Sequence, residues 1–169
     1  MEQQTHPIFS IITVCFNEKE HIGRTIESVL NQSCQEYEYI VCDGGSTDGT
    51  LEIAESYKNC FVQKGIRYHV HSEKDGGIYF GMNMGVSLAT GQYLNFMNAG
   101  DGFYNQKVLQ NVSCEIQKYN SDIFYGDIIV TEKGYGKLSR GDEKRITEGM
   151  TISHQSMFIK AQLLRDYPY

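Results

Sequence analysis

YIVCDGGSTDGTLEI, residues 39–53, decides how this chain folds. Tyr39 to Cys42 is an apolar run without polar alternation, the pattern of a strand covered on both faces, as strands of parallel sheets are. It stops in Asp43, Gly44 and Gly45, passes through Ser46-Thr47-Asp48-Gly49, and enters a helical pattern at Thr50. Gly, Ser and Asp are turn formers, and Asp48 or Thr50 suits the start of a helix. A strand that ends this way is one half of a β-α unit. Its loop is either a tight connection or one wall of a ligand site.

The same grammar recurs on both sides. FSIITVCF (9–16) reads as a first strand, followed by a helix over NEKEHIGRTIESVLNQ (17–32) with Ile22, Ile26, Val29 and Leu30 at helical spacing and Asn17 and Glu20 as a capping box. YEYIVCD and TDGTLEIAESYK form the second pair. IRYHVH is a third strand, and IYFGMNMGVSLAT a helix ended by Gly91. QYLNFMN is the fourth strand, NQKVLQNVSCEIQKY a helix, DIFYGDIIV a further strand, and TEKGYGKL a hairpin turn. SRGDEKRITEGMT reads as a surface loop, and SHQSMFIKAQLLRD as a short strand and the start of a helix. Alternation of this kind predicts a single α/β domain over residues 1–169, with a mostly parallel, Rossmann-like sheet flanked by helices.

Bulk properties narrow the function classes. With 21 acidic against 15 Lys and Arg residues the formal charge is −6, and no basic block interrupts it, so nucleic acid is not an expected partner. The five cysteines are odd in number and show no C-x-x-C spacing, which reads as reduced thiols and a cytoplasmic setting. The N-terminus has an acidic residue where a signal peptide would be basic, and no 18-residue apolar run occurs. Association with a membrane would rest on contacts outside this segment.

In open α/β sheets ligands bind beyond the carboxyl ends of the strands. Three of these ends are polar and acid-bearing: CFNEKE, CDGGSTDG and MNAGDG. Asp43 is either a turn acid bonded to its own backbone or an acceptor for a base or ribose. Asp48 reads as a helix cap. Asn98-Ala99-Gly100-Asp101 is either an ordinary turn or a place where Asp101 holds Mg²⁺ or Mn²⁺ against phosphate oxygens. Tyr79 is either a packing residue or a ring for stacking on a base or sugar. A dinucleotide-binding oxidoreductase is disfavoured, because CFNEKE lacks the required G-x-G-x-x-G.

Taken together, SIITVCFNEKEHIGRTIESVLNQS, YIVCDGGSTDGT, DGGIYFGMNMGVSLATGQYLNFMNAGD and SHQSMFIK resemble the family 2 glycosyltransferases of GT-A fold, in particular bacterial members that build surface polysaccharide. The resemblance runs from about Phe9 to about Leu164. It implies inverting transfer from a nucleoside-diphosphate sugar, with UDP-sugars favoured, to a saccharide or lipid-linked acceptor, at the cytoplasmic side and compatibly at the inner face of the cell membrane. It also implies roles by position: Asn17, Glu18, Asp43, Lys74 and Asp75 at the nucleotide, Asn83 and Asn98 on the donor-sugar side, and Asp101 and His154 at the metal or diphosphate, with a divalent metal, Mg²⁺ or Mn²⁺, as cofactor. The chain departs from the family where NAGD replaces the acid-richer metal motif, and where Phe80 and Met84 replace an acid and a lysine. No catalytic base is identified. The family places it after SHQSMFIK, so the chain reads as an N-terminal fragment, Asp127 as a structural or sugar-side acid, and a nucleotide-binding module without turnover as the alternative.

Overall fold

A computed structural model describes residues 6–74, 76–132, 135–142 and 152–169. The elements are β1 (Phe9–Cys15), α1 (Ile22–Leu30), β2 (Tyr37–Asp43), α2 (Thr50–Ser56), α3 (Lys58–Gln63), β3 (Tyr68–Ser72), α4 (Ile78–Leu88), β4 (Tyr93–Phe96), α5 (Val108–Lys118), β5 (Ile123–Tyr125), β6 (Ile128–Glu132), β7 (Tyr135–Ser139), a 3-10 turn (His154–Ser156), β8 (Met157–Lys160) and α6 (Ala161–Asp166). Six strands form one sheet in the order β3-β2-β1-β4-β8-β5. β1 pairs in parallel with both β2 and β4, β2 in parallel with β3, and β8 runs antiparallel to β4 and β5.

The unbroken apolar runs are explained by the two layers they separate. From β1 and β2, Phe9, Ile11, Tyr39 and Val41 point to one side, where they pack with Ile22, Ile26 and Val29 of α1, Phe61 of α3 and Leu109 of α5. Their neighbours Ile12, Ile40 and Cys42 point to the other, against Met82 and Val86 of α4 and Leu164 of α6. The period of two puts alternate residues on opposite faces, and both faces are dry.

A buried carboxylate interrupts this core in the middle of β2. Glu38, 1% exposed, accepts hydrogen bonds from Ser10 Oγ (2.6 Å), Arg67 (2.7 Å), the Thr90 and Gly91 amides (2.5 and 3.2 Å) and Thr90 Oγ1 (3.0 Å). Full satisfaction is what makes a buried carboxylate tolerable. It ties the end of α4 to the head of β1.

Several expectations change in detail. α1 begins only at Ile22, with His21 at its cap and no side-chain capping bond, so Asn17 and Glu20 form no capping box. Asn17 instead has a left-handed backbone, φ 54°, a conformation Asn adopts more readily than most residues. α4 ends at Leu88, before Gly91. Gly91 serves close approach: a Cβ there would meet Ser10 N at 2.6 Å and Phe9 C at 2.7 Å. YKNCFVQ contributes a helix, α3, beyond the predicted end of the second helix. DIFYGDIIV is two strands: β5 joins the main sheet, whereas β6 pairs with β7 in a separate hairpin. Most of the SRGDEKRITEGMT stretch lies outside the described residues. Among the described residues no helix is long and apolar enough to cross a membrane.

Candidate functional site

The sheet order reverses at β1: β2 and β3 extend it one way, β4 the other. Neighbouring parallel strands whose connections diverge leave a crevice at their carboxyl ends. A cavity of about 540 Å³ occupies that place, lined by Val14, Cys15 and Phe16 after β1, Glu18, Gly44 after β2, Lys74 after β3, Gly77 and Ile78 at the head of α4, and Asn98 and Ala99 after β4. Three of the loops marked in the sequence therefore converge, and Glu18, Lys74 and Asn98 face one space. A larger depression at the opposite ends of the strands, about 910 Å³, is lined by residues such as His6, Gln92, Lys160 and Arg165 and holds none of the expected site residues.

The wall made by CDGGSTDG is held from within. Asp43 is 2% exposed. Its carboxylate accepts from the Gly45 and Ser46 amides (3.2 and 3.1 Å), from Ser72 Oγ (2.6 Å) and from Ser46 Oγ. These donors tie Asp43 to its own loop and to β3, so in this geometry Asp43 shapes the loop. Gly45 completes the fit: its φ is +83° and a Cβ would meet Lys74 Cα at 3.1 Å, so only glycine lets the second and third loops close on each other. Asn17 couples the first loop to the second, its amide donating to Ser46 Oγ (2.8 Å) and its Oδ1 accepting from the Thr47 amide (2.9 Å).

Asp48 acts structurally, as expected. It accepts from the Thr50 amide and hydroxyl (3.0 and 2.5 Å) and from the Lys19 amide (3.0 Å), and the Thr50 hydroxyl bond foremost holds its carboxyl below the ordinary carboxylate value. Cys15 lines the cavity, but burial, followed by the neighbouring Asp43 charge, pushes its thiol far up. It stays a neutral thiol and no nucleophile.

The NAGD loop is clamped to α1. Thr25 Oγ1 donates to the Asp101 carbonyl (2.7 Å) and accepts from the Gly100 amide (2.8 Å), while Arg24 donates to the Gly100 carbonyl. Thr25 is fully buried. It was legible as the one polar position in the α1 stripe of Ile22, Ile26 and Val29, yet its partner loop, some 75 residues away in sequence, was not. Glu18, beside this loop, pairs with His21 Nδ1 at 2.8 Å.

His154 stands in the 3-10 turn that packs on β4. The turn hangs from buried Asn95, whose Nδ2 donates to the carbonyls of Gln155 and Met157, both at 2.9 Å. Asn95 was missed in the sequence, although a polar residue inside YLNF is the visible signal. His154 Nε2 is buried and meets no partner among the described residues. No group of three or more His, Cys, Asp or Glu side chains able to hold a metal ion occurs among the described residues. Of the residues expected at the metal or diphosphate, neither Asp101 nor His154 is among the described residues lining the cavity of about 540 Å³, whereas Asn98 is; a cation there would take most of its ligands from phosphate and water and few from the protein.

Asn83 is engaged away from the residues that line the cavity. Asn83 gives its amide to Tyr169, donating to its main-chain oxygen (2.9 Å) and accepting from its N–H (3.1 Å). Its side chain is therefore occupied. Asp75 lies outside the described residues. Asp127 is an exposed partner of Arg140 at 3.9 Å, on the hairpin side.

Comparison with known proteins accords with this geometry. The chain resembles, at 36% identity over 93% of its length, the PGL/p-HBAD biosynthesis glycosyltransferase of Mycobacterium tuberculosis, and spans 60% of that relative. Its fold matches S. aureus TarS 1-349 in complex with UDP-GlcNAc (TM-score 0.77, 23% identity, 94% of this chain and 46% of that one). It also matches the mannosyltransferase PcManGT of Pyrobaculum calidifontis with GDP-Man and Mn²⁺ (TM-score 0.70, 16% identity, 98% and 48%). The Glycosyl transferase family 2 profile covers residues 10–166, and with the GT-A sheet and its crevice now described, the chain belongs to glycosyl transferase family 2.

Proposed function

We propose that this chain carries the donor half of an inverting glycosyltransferase that moves a sugar from a nucleoside diphosphate, UDP in the first instance, to a saccharide or lipid-linked acceptor in surface polysaccharide synthesis. The observation that carries the reading is the cavity at the β1/β4 switch point, walled by three strand-end loops and bearing one exposed ammonium, Lys74, together with Glu18 and Asn98. The apolar lining of Val14, Phe16 and Ile78 suits a planar base, and the cation of Lys74 suits a diphosphate. Two solved neighbours, one in complex with UDP-GlcNAc and the other with GDP-Man and Mn²⁺, support this class of ligand.

In the transfer an acceptor hydroxyl oxygen attacks the anomeric carbon while the bond to the diphosphate oxygen breaks and the hydroxyl proton passes to a base. Lys74 stabilises the charge that develops on the leaving diphosphate, and His154, once its buried Nε2 finds a partner, adds to that stabilisation. A divalent metal held by Asp101, with help from Asn98 and His154, would supply Lewis-acid stabilisation of the same leaving group. Asn17 and Asp43 contribute by holding the nucleotide wall in shape; Asp75 adjoins it in sequence. A cytoplasmic location, with peripheral attachment at the membrane, suits a nucleotide-sugar donor.

The test is calorimetric titration with UDP, GDP and dTDP, each with and without Mn²⁺, on the wild type, Lys74→Ala and Asp101→Ala. The expected result is preferential UDP binding, strengthened by Mn²⁺, weakened about tenfold by Lys74→Ala and made insensitive to Mn²⁺ by Asp101→Ala. Absence of binding by all three nucleotides to the folded wild type would overturn the reading. Nucleotide binding without glycosyl transfer to any acceptor would leave a binding module in its place.

A further inference from the structure

We propose that the depression at the amino end of β4 is a second ligand site, one that takes a phosphate group. It has about 910 Å³ and lies at the ends of the strands opposite the nucleotide crevice, so it does not depend on the donor-half reading. Lys118, Lys160 and Arg165 line it together with the imidazole of His6, and no Asp or Glu stands among the described residues that do so. The chain as a whole carries 21 acidic against 15 Lys and Arg residues. A concavity that gathers cations and leaves carboxylates out is not what such a composition produces at random.

The cations come from separate elements that the backbone locks together. Lys160 closes β8, and its N–H donates to the Asp122 carbonyl at 2.8 Å, while the next residue, Ala161, donates to the Gln92 carbonyl at 2.9 Å. Lys118 ends α5. Arg165 reaches from α6 and donates through Nη2 to the Ala89 carbonyl at 3.1 Å. The wall between α4 and β4 is held from beneath by Glu38, which takes the Thr90 and Gly91 amides. The concavity is therefore preset, and a ligand has little left to order.

Charge and geometry select the occupant. Lys160 donates to Asp122 Oδ1 (2.7 Å) and Asn120 Oδ1 (3.3 Å), and Lys118 to Glu115 Oε1 (2.8 Å). Both carboxylates lie outside the lining, and both pairs are open to solvent. Such pairs contribute little energy, so an incoming anion can share or replace them. Arg165 makes no other hydrogen bond among the described residues, which leaves most of its planar fork open. Like charges gathered in a concavity repel one another and focus their field there, and a multiply charged anion relieves the first and gains from the second. A phosphate group, with several strong acceptor oxygens, matches a guanidinium fork flanked by ammonium point charges.

The experiment is an NMR titration of the ¹⁵N-labelled protein with inorganic pyrophosphate, in excess UDP so that the crevice is filled. A second arm is flotation with vesicles of phosphatidylcholine, alone or mixed with phosphatidylglycerol. Saturable shifts are expected in the amides of Gln92, Tyr119, Lys160 and Gln162. Lys118→Gln and Lys160→Gln should each weaken pyrophosphate roughly threefold, and together roughly tenfold, with UDP affinity within about twofold. Lys58→Gln, on α3 and outside the lining, should change nothing. Flotation with phosphatidylglycerol vesicles alone, lost in the double variant and competed by pyrophosphate, would support the site with a lipid headgroup as its source of phosphate. Pyrophosphate binding without flotation would support it with a soluble phosphate ester. No saturable shift of these amides, or an equal loss from Lys58→Gln, would overturn the site. Should UDP itself fail to bind, the donor reading falls, while the same amides still report on this site, because the two cavities share no lining residue.

Discussion

Thr25 shows how much of this site depends on side chains that never touch a ligand. Its single hydroxyl both donates to Asp101 and accepts from Gly100, fixing the backbone of the loop whose carboxylate is proposed to meet the metal. Valine has the same shape but neither bond, and leaves the Gly100 amide without its partner. Loss of two hydrogen bonds made by this buried side chain costs about 2 kcal/mol. Thr25→Val should therefore lower the thermal midpoint and, more tellingly, blunt the Mn²⁺ dependence of UDP binding while the metal-free affinity stays near the wild type. An unchanged metal response in the calorimeter would mean that the loop holds its shape without α1. Asp43 teaches the converse. From the sequence it had two readings, wall or contact; the bond that Ser72 donates to it belongs to the first, and because Ser72 comes from another strand it could not be seen beside it.

At the scale of elements, strands and helices were legible because both layers of the sheet are apolar and each run is bounded by Gly, Asp or Asn. The boundaries that failed did so for tertiary reasons. Gly91 reads as a helix stop, but its role is to admit the backbone of β1 within contact distance. DIFYGDIIV reads as continuous, but it divides at Gly126, whose amide donates to Ser156 of a segment far along the chain. Gly91→Ala tests the first point. The nearest atoms are main chain and cannot turn aside, so overpacking of about 1–3 kcal/mol is expected, together with loss of the Gly91 bond to Glu38. Chemical denaturation should show this as a lower midpoint at unchanged slope; a midpoint equal to wild type would mean that α4 can shift away from β1.

For the whole molecule, the sheet and its carboxyl-end crevice could be read from the alternation of elements, whereas the sheet order, and with it which loops meet, could not. The aromatic core carries a consequence for pH. Burial raises the hydroxyl pKa of Tyr37, Tyr39 and Tyr68 well above the ordinary value of 10.0, and Tyr39 is in addition bonded to Thr13 at 2.9 Å. Folding thus favours the protonated phenols. Their contribution is complete below pH about 10 and is lost as pH rises further, because the unfolded chain releases protons that the folded one retains. Phenolate absorbance followed against pH should show the exposed tyrosines titrating gradually, and these three ionising together with loss of the circular dichroism signal. Gradual ionisation of all tyrosines with the fold intact would contradict their burial.

The join between β5 and β8 has a further consequence. Tyr125 pairs with Met157, and the next rung is closed by Gly126 N–H donating to Ser156 O at 3.2 Å. The described residues that follow, among them the β6–β7 hairpin, lie outside the six-stranded sheet, which the chain rejoins at a point adjoining the one it left. The entropy of closing such a stretch grows only logarithmically, by about 0.6 kcal/mol for each doubling of its length. The fold therefore contains a socket: a position where insertions, deletions or exchanges can accumulate with little penalty to the strands that carry the crevice. Diversification of such a protein would concentrate in the β6–β7 hairpin, ahead of the turn that carries His154, leaving the switch point of the sheet as the inherited part.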